Sequence, residues 1–245
     1  MNKKIQLFVL QLICHAALIW ALFNFTSADW AWSIFVYFLT GCFGVTVTYH
    51  RYYSHRAFAF KHDWIRKFFV LCATWGLVGD TIAWVNNHRQ HHRLTDREGD
   101  PHSPSQLGFV SVQWFSMFHS YSNLRLVPDL IRDRFLVLIS KYYYQFHWTV
   151  LIVFCAIDAH AAAVFYLVPA AILWNLGSLI NNINHTLGYR NHSTRDRSTN
   201  FWPLGLAVWG EGWHNNHHHS PGAQNFGEKW WEFDLGYRVI KIVQK

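Results

Sequence analysis

Histidine has the clearest capacity for chemistry in this chain, because it occurs in three tight clusters. The clusters are His50-Arg-Tyr-Tyr-Ser-His55, His88-Arg-Gln-His91-His92 and His214-Asn-Asn-His217-His218. Neutral imidazole is the commonest side-chain ligand of transition metals in proteins. Eight imidazoles grouped in this way therefore predict a metal site.

The spacing within the clusters indicates how the imidazoles could meet. In the two H-x-x-H-H clusters, offsets of three and four residues on a helix place all three side chains within about 100° of arc. Each cluster can therefore converge on one or two metal ions. His50 and His55 differ, since a five-residue offset turns about 140° on an ideal α-helix. We expect either a bent helix there or ligation from different sides of the site.

The alternative is that these histidines only form hydrogen bonds or snorkel near a membrane surface. Three clusters on one predicted membrane face disfavour that reading. His219 turns off the face shared by its neighbours, so we leave it out of the site. We also expect no ligand role for six isolated histidines: His15, His62, His119, His147, His160 and His192.

The number of histidines indicates which metal is bound. A structural zinc takes four ligands and a catalytic zinc usually three, so eight or more imidazoles suit two ions better. Soluble di-iron bundles use paired Glu-x-x-His motifs, and Glu211-Gly-Trp-His214 is the sole copy here. We interpret Glu211 as an outer carboxylate that orients an imidazole. Two irons held mainly by histidine fit best. The four cysteines form no C-x-x-C and are expected to be small buried hydrophobic residues.

The elements that must position these histidines are predicted to be membrane helices. The chain is 51% hydrophobic and only 14% charged, against roughly 25% charged in soluble domains. No Lys or Arg occurs in 5–50 or in 142–189. If each of these blocks holds two spans, every basic residue lies on one face, which the positive-inside rule makes cytoplasmic. The net charge of +7 then reflects topology and contact with membrane lipid, and gives no support for nucleic-acid binding.

We therefore predict an all-α integral membrane protein with four transmembrane helices and a cytoplasmic helical cap that carries the histidines. Each span is close to the roughly 20 residues that a bilayer requires. The predicted spans are about Ile5–Phe25, Trp30–Tyr49, Tyr144–Ala162 and Ala163–His185, the last two joined by a tight turn at Asp158–Ala163. The apolar stretch from Trp64 to Val85 is placed as an interfacial or cap helix, because a fifth span would separate the first two clusters. Residues 1–245 form one domain, with hairpins about 5–49 and 144–185 and a cap of 50–143 and 186–245.

At these residues the chain resembles the membrane fatty acid desaturases of the acyl-CoA, delta-9 type. The run Gly44-Val-Thr-Val-Thr-Tyr-His50-Arg-Tyr-Tyr-Ser-His55-Arg56 is similar to that family's first histidine box, and Asp100-Pro101-His102 follows the second box at the family's position. Gly210-Glu-Gly-Trp-His214-Asn-Asn-His217-His218 is similar to the third box. Asn181-Asn-Ile-Asn-His185 matches the segment that supplies one more histidine and an asparagine. The resemblance extends from about residue 30 to 235.

The resemblance implies a set of metal ligands and cofactors. Asn181 would act near one iron, directly or through water, and no catalytic residue separate from the metal ligands is expected. The cofactors are two iron ions (Fe2+/Fe3+), with O2 as co-substrate. The implied ligands are His50, His55, His88, His91, His92, Asn181, His185, His214, His217 and His218.

The resulting hypothesis is an oxygen-dependent desaturase, because no side-chain acid or base can break an unactivated C–H bond in an acyl chain. A separate cytochrome b5-like or ferredoxin-like donor with its reductase would supply electrons, since no haem domain is appended. A fatty-acyl or alkyl hydroxylase with the same site is the alternative. A non-catalytic metal-binding membrane protein is the second alternative. The protein would lie in a bacterial inner membrane or the endoplasmic reticulum.

The identity of the acyl carrier depends on residues near the second box. Asn86-Asn87 stands where animal acyl-CoA enzymes have an Arg-Asp pair, so head-group recognition by that pair is not inherited and CoA, acyl carrier protein and glycerolipid stay open. Delta-9 is the family default. Arg89, Arg93 and Arg97 are candidate substrate contacts, against the alternative that they are solvated surface charges.

Overall fold

A computed structural model describes all 245 residues and contains helices but no strand. The α-helices are Lys3–Asn24 (α1), Ser27–Phe38 (α2), Asp63–Trp75 (α3), Thr81–Leu94 (α4), Pro104–Leu107 (α5), Phe109–Trp114 (α6), Ser116–His119 (α7), Arg134–Ala162 (α8), Val168–Ile183 (α9), Trp202–Ala207 (α10), His214–His219 (α11) and Leu235–Val243 (α12). Two π-helices, Leu39–Ser54 and Ala163–Leu167, and two 3-10 turns, Leu124–Leu126 and Leu130–Arg132, complete it. The predicted all-α class is confirmed.

The first two helices form a hairpin whose ends are capped by side chains. The Asn2 side chain accepts a hydrogen bond from Lys4 N at the start of α1 (2.8 Å). Thr26 and Asp29 form a reciprocal capping box at the start of α2. The chain reverses between Asn24 and Ser27.

Three stretches are long and apolar enough to cross a membrane: Lys3–Asn24, Ser27–Ser54 and Arg134–Ile183. The third has 50 residues, more than twice the length that one crossing needs. It is broken at Asp158, whose φ of −156° and ψ of 99° are not helical. His147 Nδ1 and Tyr166 Oη then lie 2.7 Å apart. The third stretch therefore folds back on itself, at the first residue of the predicted tight turn.

The apolar stretch predicted as one helix from Trp64 to Val85 forms two. α3 ends at Trp75 and α4 begins at Thr81, because Leu77 (φ 54°) and Gly79 (φ 102°) reverse the backbone between them. Asp80 then caps α4 by accepting from Ile82 N and Ala83 N. His88 on α4 then approaches the first cluster, with 2.8 Å between its Nε2 and that of His55.

α3 packs tightly on the π-helix that carries the first histidine cluster. The rings of Phe43 and Phe69 stack in parallel at 4.6 Å between centroids. Gly44 allows this approach, since a Cβ atom there would lie 2.5 Å from the backbone of Ala73. The opposite face of α3 leaves Trp64 and Phe68 exposed. This division into one buried and one exposed apolar face suits a helix that lies at a membrane surface.

The core of the bundle lies where α1, α8 and α9 meet. It includes Leu10, Cys14, Tyr166 and Trp174, all buried. Cys14 and Cys42 are fully buried, as predicted for small hydrophobic residues, whereas Cys72 is half-buried and Cys155 lies exposed on α8. All four thiols are free.

Candidate metal centre

The first histidine cluster is shaped by the π-helix Leu39–Ser54. In this helix N–H groups bond to the carbonyl five residues earlier, as His55 N does to His50 O (3.1 Å). Residues five apart therefore lie one above the other. The rings of His50 and His55 approach to 4.9 Å between centroids. The structure shows neither a bend nor ligation from different sides, which were the two predicted alternatives, because the change to a π-helix brings both rings into one group.

The second and third clusters each divide between two groups of histidines. On α4, His88 and His92 join the first cluster, while His91 points into a different group. On α11 the pattern is inverted, because His217 joins the first group while His214 and His218 join the second. On each helix the two histidines four residues apart belong to the same group, and the histidine between them belongs to the other, as helical geometry requires.

The result is two compact groups whose potential ligand atoms lie within 4.8 Å of one another. We call them the five-histidine group and the four-histidine group. The five-histidine group contains His50, His55, His88, His92 and His217. The four-histidine group contains His91, His185, His214 and His218.

The contacts inside the five-histidine group fit a bound cation. His217 Nε2 lies 3.0 Å from His50 Nε2 and 2.9 Å from His92 Nε2, and His55 Nε2 lies 2.8 Å from His88 Nε2. A neutral imidazole carries one proton on two nitrogens, so it cannot donate in both directions from Nε2. His50 already directs its Nδ1 at Glu211. Nitrogen lone pairs therefore face each other, which a metal ion between them would relieve.

In the four-histidine group, carboxylates fix the orientation of three rings. His91 Nδ1 lies 2.9 Å from Asp100, and His185 Nδ1 lies 3.0 Å from Asp96. His218 Nδ1 lies 3.0 Å from Asp196. A carboxylate on Nδ1 places the proton there and leaves the Nε2 lone pair free for a metal. Nε2 of His91 and Nε2 of His218 are buried without any protein partner. The donor set thus fits a transition metal.

Two of these carboxylates, Asp96 and Asp196, lie in loops and were not among the predicted site residues. Asp96 lies just after α4 with φ of 60°, a conformation that Asp tolerates, and also accepts from Arg197 N (2.8 Å). Asp196, the partner of His218, accepts from Ser198 N and from the hydroxyl of Thr194. No local motif marks either aspartate, because each meets its histidine only through the fold.

The ionisation of these groups suits metal binding. Burial alone would raise the pKa of Asp96, but its hydrogen bond and charge interaction with His185, together with hydrogen bonds from Arg197 N and Ser103, outweigh burial and lower that pKa. The pKa of Asp196 is lowered by His218 in the same way. Burial and neighbouring imidazoles hold the pKa of His217 well below its ordinary value, and burial lowers that of His218 to about 4. The rings of His217 and His218 are therefore neutral near pH 7, which is the form that binds metals.

Glu211 has the outer-carboxylate place that the sequence predicted. Its side chain contacts His50 Nδ1 at 2.5 Å and the Arg51 guanidinium at 3.4 Å. Arg51 also pairs with Asp234 at 2.9 Å, and all three charged side chains are buried. The third cluster, the π-helix and the segment before α12 are thereby joined through one ion-pair network beneath the five-histidine group.

A cavity of about 430 Å³ runs along the histidine centre. It reaches His50 and His88 of one group and His214 of the other, and Asn181 lines it as well. Asn181 is half-buried and lies one helical turn before His185, on the same face of the chain. A mainly apolar cavity beside polar groups is the usual form of a site for a small or lipid molecule.

The residues that line the cavity differ in exposure. Lys3 and Tyr121 line it, and Tyr121 is 61% exposed, so the cavity reaches the surface there. Gly41 and Leu173 are buried and are the lining residues of their helices farthest in sequence from His50 and Asn181, and the buried Trp209 lies against Gly41. The cavity therefore extends from the histidines to a buried part of its wall.

The three candidate arginines lie outside this cavity. Arg89 makes a two-pronged ion pair with Asp129 (2.8 Å) and donates to the backbone oxygens of Tyr53 and Leu126. Arg93 and Arg97 are exposed. A role for them in substrate binding stays a prediction.

The histidines left out of the site lie elsewhere. His219 stacks on His192 at 3.8 Å between centroids, outside both groups. His147 bonds Tyr166 inside the bundle, and His15 bonds Asn175. Neither group includes any of the isolated histidines. His102, from the Asp100-Pro101-His102 segment, lies 5.8 Å from His91 between ring centroids and lines the cavity.

Comparison with known proteins places this architecture in a family. Residues 27–241 match the family described as fatty acid desaturase. The chain is 33% identical to an sn-1 stearoyl-lipid 9-desaturase of Anabaena variabilis, over 91% of this chain and 85% of that protein. It is 34% identical to a delta-9 acyl-lipid desaturase of Arabidopsis thaliana (94% and 76%) and 33% identical to an icosanoyl-CoA 5-desaturase of Limnanthes douglasii (99% and 70%). With its histidines gathered at one cavity and this match over most of its length, the chain belongs to the fatty acid desaturase family and is an enzyme that desaturates fatty acids.

Proposed function

We propose that this protein is an oxygen-dependent desaturase that introduces a double bond, at delta-9, into a long-chain fatty acyl substrate at a histidine-held di-iron centre. The observation that carries the proposal is the pair of histidine groups, with Nε2 atoms converging in each, along the wall of one cavity. When bound, two irons supply the oxygen activation that no side chain can provide.

The roles of the protein's own residues follow from their positions. The nine histidines hold the metals, and Asn181 completes the four-histidine group directly or through water. Asp96, Asp100 and Asp196 keep three rings in the tautomer that presents Nε2. The cavity excludes water and holds one pair of methylenes beside the centre. Binding energy thereby fixes the position of the reacting carbons, which lowers the entropic cost of the reaction.

The acyl carrier and the double-bond position are part of this proposal. Similar proteins are named as acting on stearoyl-lipid at position 9, on icosanoyl-CoA at position 5 and on palmitoyl-monogalactosyldiacylglycerol at position 7. We propose an acyl-CoA or acyl-lipid substrate for this chain. Electrons would come from a separate cytochrome b5-like or ferredoxin-like protein with its reductase.

We further propose one domain with four spans, and both termini and the centre on the cytoplasmic side. The third apolar stretch supplies two spans through its reversal at Asp158. His160 Nε2 lies 3.0 Å from Asp29 Oδ1, so the tips of the two hairpins meet. The basic residues lie at the other ends of these helices. Single cysteines introduced at Asp158 and near Lys245, in a chain whose four native cysteines are changed to alanine, test the topology. A membrane-impermeant thiol reagent applied from outside should label only the first.

Expression in a host that lacks its own desaturase tests the function. We expect new monounsaturated fatty acids, located at delta-9 by mass spectrometry of derivatised double bonds, and two irons per purified chain. A hydroxylated product would instead indicate the hydroxylase alternative. Bound metal without oxygen consumption or lipid change would indicate a non-catalytic metal-binding protein.

A further inference from the structure

Trp209 adopts a backbone conformation that bulky residues rarely adopt. Its φ is 52°, and Gly210 follows with φ of 102°. A left-handed conformation is an outlier for a large side chain and persists only where the surroundings enforce it. Here Gly236 N donates to Trp209 O at 3.1 Å and Gly210 N donates to Gly205 O at 2.8 Å. The unusual backbone turns the indole toward the π-helix and the cavity.

Only a glycine at position 41 leaves room for the indole of Trp209. A Cβ atom at Gly41 would lie 2.2 Å from both Cη2 and Cζ3 of Trp209. The ring of Tyr37 packs against the indole, with 4.6 Å between ring centroids. The Tyr37 hydroxyl donates to Ala207 O at 3.0 Å. The indole is therefore held between the helix backbone and a second buried aromatic ring.

The indole lies in the buried part of the cavity wall that is distant in sequence from His50 and Asn181. Trp209 is 7% exposed and lines the cavity together with Gly41 and Leu173. Gly41 precedes His50 by nine residues, which is at most about 13 Å along a helix. That length can hold the distal part of a long acyl chain whose middle carbons lie beside the histidines. Trp209 is also two residues from Glu211, the partner of His50, so the indole and the centre share one short segment.

We propose that Trp209 is a specificity-determining residue that sets how far an acyl chain can extend past the histidine centre. The inference rests on the proposed desaturase function and adds to it the upper limit of chain length. A smaller residue at position 209 should deepen the cavity toward Tyr37. A side chain at position 41 should displace the indole from this position and shorten the cavity.

The test compares Trp209→Val with the wild type in a desaturase-deficient host fed palmitic, stearic and icosanoic acids. In Trp209→Val we expect the ratio of unsaturated icosanoyl to unsaturated stearoyl products to rise about tenfold or more, the size that hydrophobic pocket fit can supply. The double-bond position counted from the carboxyl carbon should not change. Gly41→Ala should shift the products the opposite way, and Gly41→Ala with Trp209→Val should reverse that shift.

Trp202→Val is the matched control, because Trp202 is 60% exposed and does not line the cavity. If Trp209→Val accumulates poorly, Trp209→Phe keeps an aromatic ring and should give a smaller shift in the same direction. Unchanged product ratios in both variants, at wild-type protein levels, would overturn the proposal. A wild-type protein that makes no unsaturated product would contradict the desaturase function instead, so the two failures are distinguishable.

Discussion

The two histidine groups are built differently although they share the same three boxes. Of the five-histidine group, only His50 has a carboxylate partner, and that partner is itself paired with the buried Arg51. Of the four-histidine group, all but His214 have one: Asp96 and Asp100 come from the segment after α4, and Asp196 comes from the segment before α10. One group is organised by helix packing and the other by loops.

This difference indicates where each group is vulnerable. The five-histidine group depends on the π-helix, which no single side chain maintains, and on an ion-pair network that reaches Asp234. The four-histidine group depends on hydrogen bonds that can be removed one at a time. It also has one histidine fewer, and Asn181 beside it at the cavity. We therefore expect changes in the ion-pair network beside the five-histidine group to lower folding stability, and loss of an aspartate beside the four-histidine group to lower metal affinity or activity.

Removing one ligand from either group should have the largest effect. We expect His217→Ala and His91→Ala each to abolish unsaturation while the protein still inserts into the membrane, because both groups are needed for oxygen chemistry. Fatty-acid profiles and metal content per purified chain measure the result. His219→Ala is the matched control and should keep its activity, since His219 lies outside both groups. Full activity in either ligand variant would contradict the assignment.

Glu211→Gln should destabilise the protein as well as inactivate it. The change leaves the buried guanidinium of Arg51 with Asp234 as its remaining charged partner. Because Asp234 still compensates Arg51, we expect a cost below the roughly 3–5 kcal/mol that an uncompensated buried charge brings. Thermal unfolding in detergent should show a clear fall in melting temperature relative to Asp129→Asn, which removes a partly exposed ion pair. Equal melting temperatures in the two variants would show that the network contributes little to stability.

The features that could be predicted from the sequence are the local ones, and the features that could not are contacts between distant residues. The boxes, the apolar stretches and the site of the reversal at Asp158 are local patterns, and the all-α fold and the grouping of nine histidines agree with them. The π-helix was not predicted. Its close contact with α3 at Gly44, where a Cβ atom would lie 2.5 Å from the backbone of Ala73, is set only by the fold. The roles of Asp96 and Asp196 were not predicted either. Their histidines are 89 and 22 residues away, and only the fold sets those contacts.

Asp196→Asn should lower metal affinity or activity without unfolding the protein. Asparagine keeps the shape of the side chain but loses the charge that holds His218 in the required tautomer. Loss of such an outer partner typically costs 10–100-fold in metal affinity or activity. Titration with a chelator, read as residual iron and residual desaturation, measures the loss. A melting temperature that falls as far as in Glu211→Gln would remove the distinction between the two groups.

Asn181→Ala should have the smallest effect and the most specific one. A half-buried amide that contributes one neutral hydrogen bond or weak ligand is worth about 0.5–1.5 kcal/mol, or roughly a two- to tenfold loss of desaturation. Iron content should stay at the wild-type level, because four imidazoles still hold the metal. Asn181→Asp, which keeps an oxygen at the same position, should recover part of the activity. Iron falling by half in Asn181→Ala would instead make Asn181 the required fifth ligand, and the two groups would then be equal in ligand number.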